Sequence, residues 1–146
     1  MDVEAVELKD DGRVPNNPDL ALVHYRGALA QAMGTADVIR LFGDNGWRGA
    51  WVNGIFPYHH YHARSHEVLA NVGAAVLVQF GGEKGPVISF EAGDVVVIPA
   101  GGGLAGCRML VASWSSVPIR RAKKIGTSAG PIIRWTMCVR MKRLDA

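Results

Sequence analysis

Residues Gly54 to Gly73 read GIFPYHHYHARSHEVLANVG, and between His59 and Glu67 they gather four of the chain's five histidines and one carboxylate. His60 and His62 are two apart, so in an extended strand, where successive side chains alternate faces, both imidazoles project to one side and can converge on one ion. Glu67 can return to them if the chain bends between. Imidazole favours zinc, copper, iron and nickel, and a carboxylate extends the range to manganese. The stretch therefore predicts a divalent transition-metal site on His60, His62 and Glu67 before it predicts any reaction.

Outward from this stretch the pattern is strand, turn, strand. Trp51 to His62 reads as extended, Glu67 to Val72 as a short strand ended by Gly73, and Ala74 to Phe80 (AAVLVQF) as a β-branched apolar strand. GGEKGP at 81 to 86 is a turn by composition. Val87 to Phe90 and Val95 to Ile98 follow, separated by EAGD, and Pro99 closes the run. Short strands about every ten residues, with glycine turns and almost no helix, predict an all-β antiparallel sandwich or small barrel.

Upstream, DDGRVPNNPD at 10 to 19 concentrates turn formers and reads as a loop. Leu20 to Tyr25 reads as a strand laid on the core, and His24 as a packed or edge histidine, since no second ligand type lies near it in sequence. Ala36 to Phe42 places Val38, Ile39 and Phe42 at helical spacing before Gly43, which predicts one short amphipathic helix. Trp47 and Trp51 read as caps on a core.

At 146 residues the chain has the length of one domain with one core. It contains no run of 18 apolar residues, so no membrane span is expected, and its acidic N-terminus lacks the basic and apolar regions of a signal peptide. A cytoplasmic location is expected. Cys107 and Cys138 lack CxxC spacing and read as two free thiols in a reducing compartment. The net charge of +3 hides an asymmetry: residues 1 to 102 hold 7 Lys and Arg against 12 Asp and Glu, whereas 103 to 146 hold 9 against 1.

The spacing of these residues resembles the cupin superfamily. Its first motif is a glycine, five residues, His-x-His, three or four residues, Glu, about six residues and Gly, and Gly54, His60, His62, Glu67 and Gly73 follow it with one residue fewer before the last glycine. Its second is a glycine, five residues, Pro-x-Gly, two residues and His; Gly93, Pro99 and Gly101 follow it, but Leu104 stands where the histidine should be. DDG..PNNP..L...Y.GAL (10 to 29) and W..G.W.NGIF.YHH.H...HEVL (47 to 69) resemble a subgroup of small single-domain bacterial cupins. The resemblance covers residues 7 to 101. It implies a cupin double-stranded β-helix, a jelly-roll barrel of six to eight strands, with one short helix near residues 36 to 42. A metal, whether zinc, iron, manganese or nickel, would sit inside on His60, His62, Glu67 and the second-motif histidine. Three of the four ligands are present, so low occupancy is expected. His59 and His66 flank the ligands, but alternation turns each to the opposite face, and they read as surface residues or as supports behind the ligands.

Residues 1 to 101 thus form the expected cupin domain, with motifs at 54 to 73 and 93 to 101, and 102 to 146 an atypical basic segment. Its SWSSVPIRRAKKI (113 to 125) has a composition that could bind nucleic acid or acidic lipid. It has a second explanation. Codons for Ser113 to Arg120, read from the third base of the Ser113 codon, permit the family's strand Leu-Val-Val-Gly-Ala-Tyr-Pro, and the same offset across Ile125 to Gly130 permits Trp-Asp-Ile-Cys. Translation out of frame from about residue 102 would account for both. Sequencing the encoding DNA decides between the explanations.

The leading expectation is a metal-binding cupin acting on a small molecule held in the barrel, of dioxygenase or isomerase type, with no general base that can be named. The alternative is a non-catalytic or degraded cupin that binds a small ligand weakly. A nucleic-acid binder ranks below both. A homodimer is compatible with either of the first two, and the substrate is not legible in these residues.

Overall fold

The computed structural model describes residues 2 to 30, 33 to 106 and the backbone of 132 to 137. Ten strands and one helix occur among them: β1 (Asp2–Val6), β2 (Leu22–Arg26), α1 (Thr35–Asp44), β3 (Trp51–Asn53), β4 (His60–Tyr61), β5 (His66–Asn71), β6 (Val76–Phe80), β7 (Val87–Phe90), β8 (Val95–Ile98), β9 (Gly103–Gly106) and β10 (Ile132–Met137). They form two sheets, one in the order β1-β2-β8-β5-β10-β3 and one in the order β4-β9-β6-β7. Every pairing is antiparallel. Two antiparallel sheets with one short helix form the all-β jelly-roll architecture that the motif spacing implies.

Strand alternation explains how the sheets meet. Along β5, Glu67, Leu69 and Asn71 share one face and Val68 and Ala70 the other. Leu69 joins Leu22 of β2 and Val96 and Ile98 of β8 in the core between the sheets, where they pack against Val78, Phe80, Phe90 and Leu104 from the four-stranded sheet. Val68, Ala70 and Val95 face outward, and Val38 and Phe42 of α1 cover them. The helix therefore lies on the outer face of the larger sheet. It runs two residues longer toward its C-terminus than the periodicity predicts, ending where the Asn45 side chain caps the Leu41 carbonyl at 2.8 Å.

Three departures from the sequence reading have physical reasons. The expected extended run from Trp51 to His62 is two short strands, because β3 pairs in the larger sheet and β4 in the smaller, and the chain must leave one ladder before joining the other. The ten strands exceed the six to eight expected; β1, unread in the sequence, accounts for one of them and pairs along its whole length with β2. Paired backbone also continues beyond residue 101: β9 joins β4 and β6, and β10 lies between β5 and β3. Cys107, Cys138, the basic run 113 to 125 and the codon-offset segments lie outside the described residues. No helix among the described residues is long and apolar enough to cross a membrane.

The 10 to 19 loop is tightly tied to the sheets. Asn16, 5% exposed, donates from Nδ2 to the carbonyls of Lys9 (2.7 Å) and Gly81 (2.9 Å) and accepts from the Gly103 N–H at 3.1 Å, which anchors the start of β9. Gly101 sits at φ +90°, and a Cβ there would stand 3.0 Å from the Asn16 carbonyl oxygen. Both the backbone angle and the close approach require glycine. Gly101→Ala is expected to lower unfolding free energy by about 2 kcal/mol, read as a drop in the urea midpoint at unchanged slope.

Candidate metal centre

Of the three predicted ligands, His62 and Glu67 come within 3.8 Å of each other, and His60 stands next to His62. Glu67 is 1% exposed and shares the inner face of β5 with Leu69. On that face it lies opposite Ile98 of β8. A carboxylate carried into such surroundings is costly unless a cation or donors meet it. His62 approaches it from the segment after β4, its Nε2 3.8 Å from Glu67 Oε2, a separation longer than a hydrogen bond. Two donors bound to one zinc at about 2.1 Å in a tetrahedron stand roughly 3.4 Å apart, so this pair needs to close by only a few tenths of an ångström.

His60 stands beside them, its ring centroid 6.2 Å from that of His62. Its Nδ1 lies 3.2 Å from the Tyr58 carbonyl oxygen, which can only accept. That bond places the proton on Nδ1 and the ring's lone pair on Nε2, the arrangement usual for a metal-ligating histidine. Two imidazoles on one ion have centroids roughly 5 Å apart, so His60 must swing by about an ångström to complete the set. Among the described residues no group of three or more His, Cys, Asp and Glu side chains is already arranged to hold an ion. The donor types fit a borderline transition metal, with two of the three donors near coordination spacing and the third correctly protonated but displaced.

The ladders fix where residue 104, which stands at the second motif's histidine position, lies. In the β4–β9 ladder Leu104 is the direct partner of His60, and in the β6–β9 ladder it is the partner of Phe80. Opposed residues of an antiparallel pair share a face, so a side chain at 104 reaches toward the His60 ring. The leucine is 1% exposed and belongs to the core, which it extends up to the ligands.

The flanking histidines differ from each other. His66 Nδ1 accepts from the Ala100 N–H at 3.2 Å, which engages it with the second motif's backbone. Alternation along β5 turns it away from Glu67. His59 lines a cleft of about 620 Å³ together with Arg13, Tyr58, His60, Tyr61 and Glu83. Its Nδ1 is buried and has no hydrogen-bond partner among the described residues. Asp11 borders the same cleft; N–H groups of Val14 and then Arg13 hold its carboxyl below the usual carboxylate range.

Two features of this region are hidden in single-strand reading. A polar network closes the opposite end of the inner face: His24, fully buried, has Nε2 3.0 Å from Asp94 Oδ2, and Asp94 also accepts from the N–H groups of Gly27 (2.8 Å) and Glu91 (3.0 Å). Asn71 bridges to the Phe90 carbonyl at 2.7 Å. His24 is thus a packed histidine, as its isolation in sequence predicts. The second feature is a run of rings at every other residue, Phe56, Tyr58, His60 and His62, whose period of two was legible and unread.

An antiparallel two-sheet jelly roll with two imidazoles and a buried carboxylate at one end of its core defines the class: an all-β domain with a candidate metal centre. The comparisons with known proteins lie alongside that description. Over 94 residues, 64% of its length, the chain is 51% identical to the uncharacterized protein YjlB of Bacillus subtilis (strain 168). The match covers 55% of YjlB, so the chain spans about half the length of the curated relative it matches. Among solved structures it is similar to a DUF861-family protein of Thermotoga maritima, with a TM-score of 0.37 and 15% identity over 72% of this chain and 92% of that one. No family model matches the chain.

Proposed function

We propose that the chain is a cupin-type protein that binds a divalent transition metal on His60, His62 and Glu67 and uses it on a small molecule entering through the cleft beside His60, in the cytoplasm. The observation that carries the reading is the buried Glu67 carboxylate, in register with Ile98 of β8, with His62 Nε2 at 3.8 Å. The Tyr58 carbonyl on His60 Nδ1 supports it, because it orients Nε2 as the ligating atom. A metal bound there would supply Lewis-acid polarisation of a substrate oxygen. The residues' own contributions are to hold the ion, to exclude water on the core side through Leu104 and Phe80, and to leave the cleft side open.

The second reading, a site that binds metal weakly and does no chemistry, draws on Leu104. An aliphatic core residue occupying the fourth ligand's position lowers affinity relative to a four-donor set and suits a degraded cupin.

Zinc titration of the full chain by calorimetry tests the metal reading. One site per chain is expected, with affinity falling by at least about 100-fold in His62→Ala, by more than loss of an outer partner costs. Equal binding by the parent chain and His62→Ala would remove the proposal. Of the two readings, a small-molecule turnover that appears only with metal would select the first.

A further inference from the structure

The ring stripe on Phe56, Tyr58, His60 and His62 is the feature that packing alone explains least well. Phe56 and Tyr58 are stacked, with centroids 5.1 Å apart and planes 14° from parallel. The run continues from Tyr58 to His60 at 5.8 Å and from His60 to His62 at 6.2 Å, and Trp51 abuts its outer end 5.5 Å from Phe56. Rings in an ordinary core are hidden, yet Tyr58 is 57% exposed and Trp51 41%. The stripe therefore leads from solvent to the candidate ligands. Tyr58 and His60 also line the cleft of about 620 Å³, a volume in the usual range for a small-molecule site. Exposed aromatic surface at the mouth of such a cleft marks a place where a ligand buries it.

We propose that this cleft takes a planar aromatic small molecule, stacked on Tyr58, with its oxygen-bearing edge directed at His60 and His62. Flat π faces at offset-stacking distance select a flat π partner over a saturated ring of equal size, because the quadrupole interaction adds to area burial only when both partners have one. The inference rests on the metal reading for what the ligand's polar edge meets, whereas the stacking needs only the rings. The Arg13–Glu83 pair on the cleft, 3.3 Å apart and largely exposed, supplies a donor and an acceptor at the outer edge.

The test uses the full chain, once stripped of metal with a chelator and once zinc-loaded, titrated with catechol and with cyclohexane-1,2-diol while binding is followed by saturation-transfer NMR. Catechol carries the same two oxygens as the saturated diol and adds a π face. The expected result is saturable catechol binding in both samples, with the saturated diol weaker by roughly tenfold, the upper part of what aromatic pairing contributes. Tyr58→Ala is expected to erase that preference and Tyr58→Phe to keep it. Equal affinity for the two diols, or an unchanged preference in Tyr58→Ala, would overturn the inference. Catechol preference without any zinc binding leaves the stacking site standing and removes the metal centre; zinc binding without catechol preference does the reverse.

Discussion

Leu104→His is expected to tighten zinc binding by on the order of 100-fold and to make the stability of the fold depend on the metal. The position is set by the register: residue 104 is the direct cross-strand partner of His60, and opposed side chains have Cβ atoms roughly 5 Å apart on one face. An imidazole there would replace a leucine that is 1% exposed and part of the core. Without metal the substitution should cost about 2 to 3 kcal/mol, because it removes buried aliphatic contacts and leaves a polar ring in apolar surroundings. Zinc at about a hundred times its dissociation constant should restore roughly 2.7 kcal/mol. Thermal melts with and without zinc, beside calorimetric titration, read both halves. A variant that is destabilised and binds zinc no more tightly than the parent would separate residue 104 from the ligand cluster.

Asp94→Ala is expected to lower unfolding free energy by about 3 to 5 kcal/mol, a large fraction of the roughly 5 to 15 kcal/mol of an ordinary domain. The carboxylate serves three partners at once: the ring of fully buried His24 and the N–H groups of Gly27 and Glu91. His24 would lose its acceptor where water does not reach, at about 1 to 3 kcal/mol, and the part-buried N–H groups of Gly27 and Glu91 would lose theirs at smaller cost because water is nearer. Gly93, just before it, holds φ +89° with the Leu29 carbonyl 3.2 Å from where a Cβ would be, so the turn cannot relax toward a new partner. The double change His24→Phe with Asp94→Asn removes the ring nitrogens while retaining a side-chain acceptor, and should recover part of the loss. Chemical denaturation measures both. A loss below about 1 kcal/mol for Asp94→Ala would show that the network is not a support of this end of the core.

These two substitutions mark where sequence reading succeeds and where it stops. Val87–Phe90 and Val95–Ile98 have the predicted bounds, because an apolar β-branched run between glycine turns admits few other readings. The candidate residues could be named because spacing along one segment is local information: His60 and His62 are two apart, and Glu67 lies on the next strand. What joins that segment to Leu104 and Phe80 is register between strands more than 15 residues apart, which no local pattern carries. The same holds for His24, whose partner Asp94 is 70 residues away. β1 was missed for a different reason: four of its five residues are exposed, so its strand is maintained by pairing with β2 and by the Glu4–Arg26 contact at 2.9 Å more than by an apolar face.

The central claim is that His60, His62 and Glu67 hold one metal ion at the end of the core. An anomalous difference map collected at the zinc edge from crystals of the full chain grown with zinc tests it most directly. The expected result is a single strong peak at coordination distance, about 2.0 to 2.2 Å, from a nitrogen of each histidine and from a Glu67 oxygen. A map with no peak among these three side chains, at zinc concentrations that populate sites elsewhere on the surface, would contradict it.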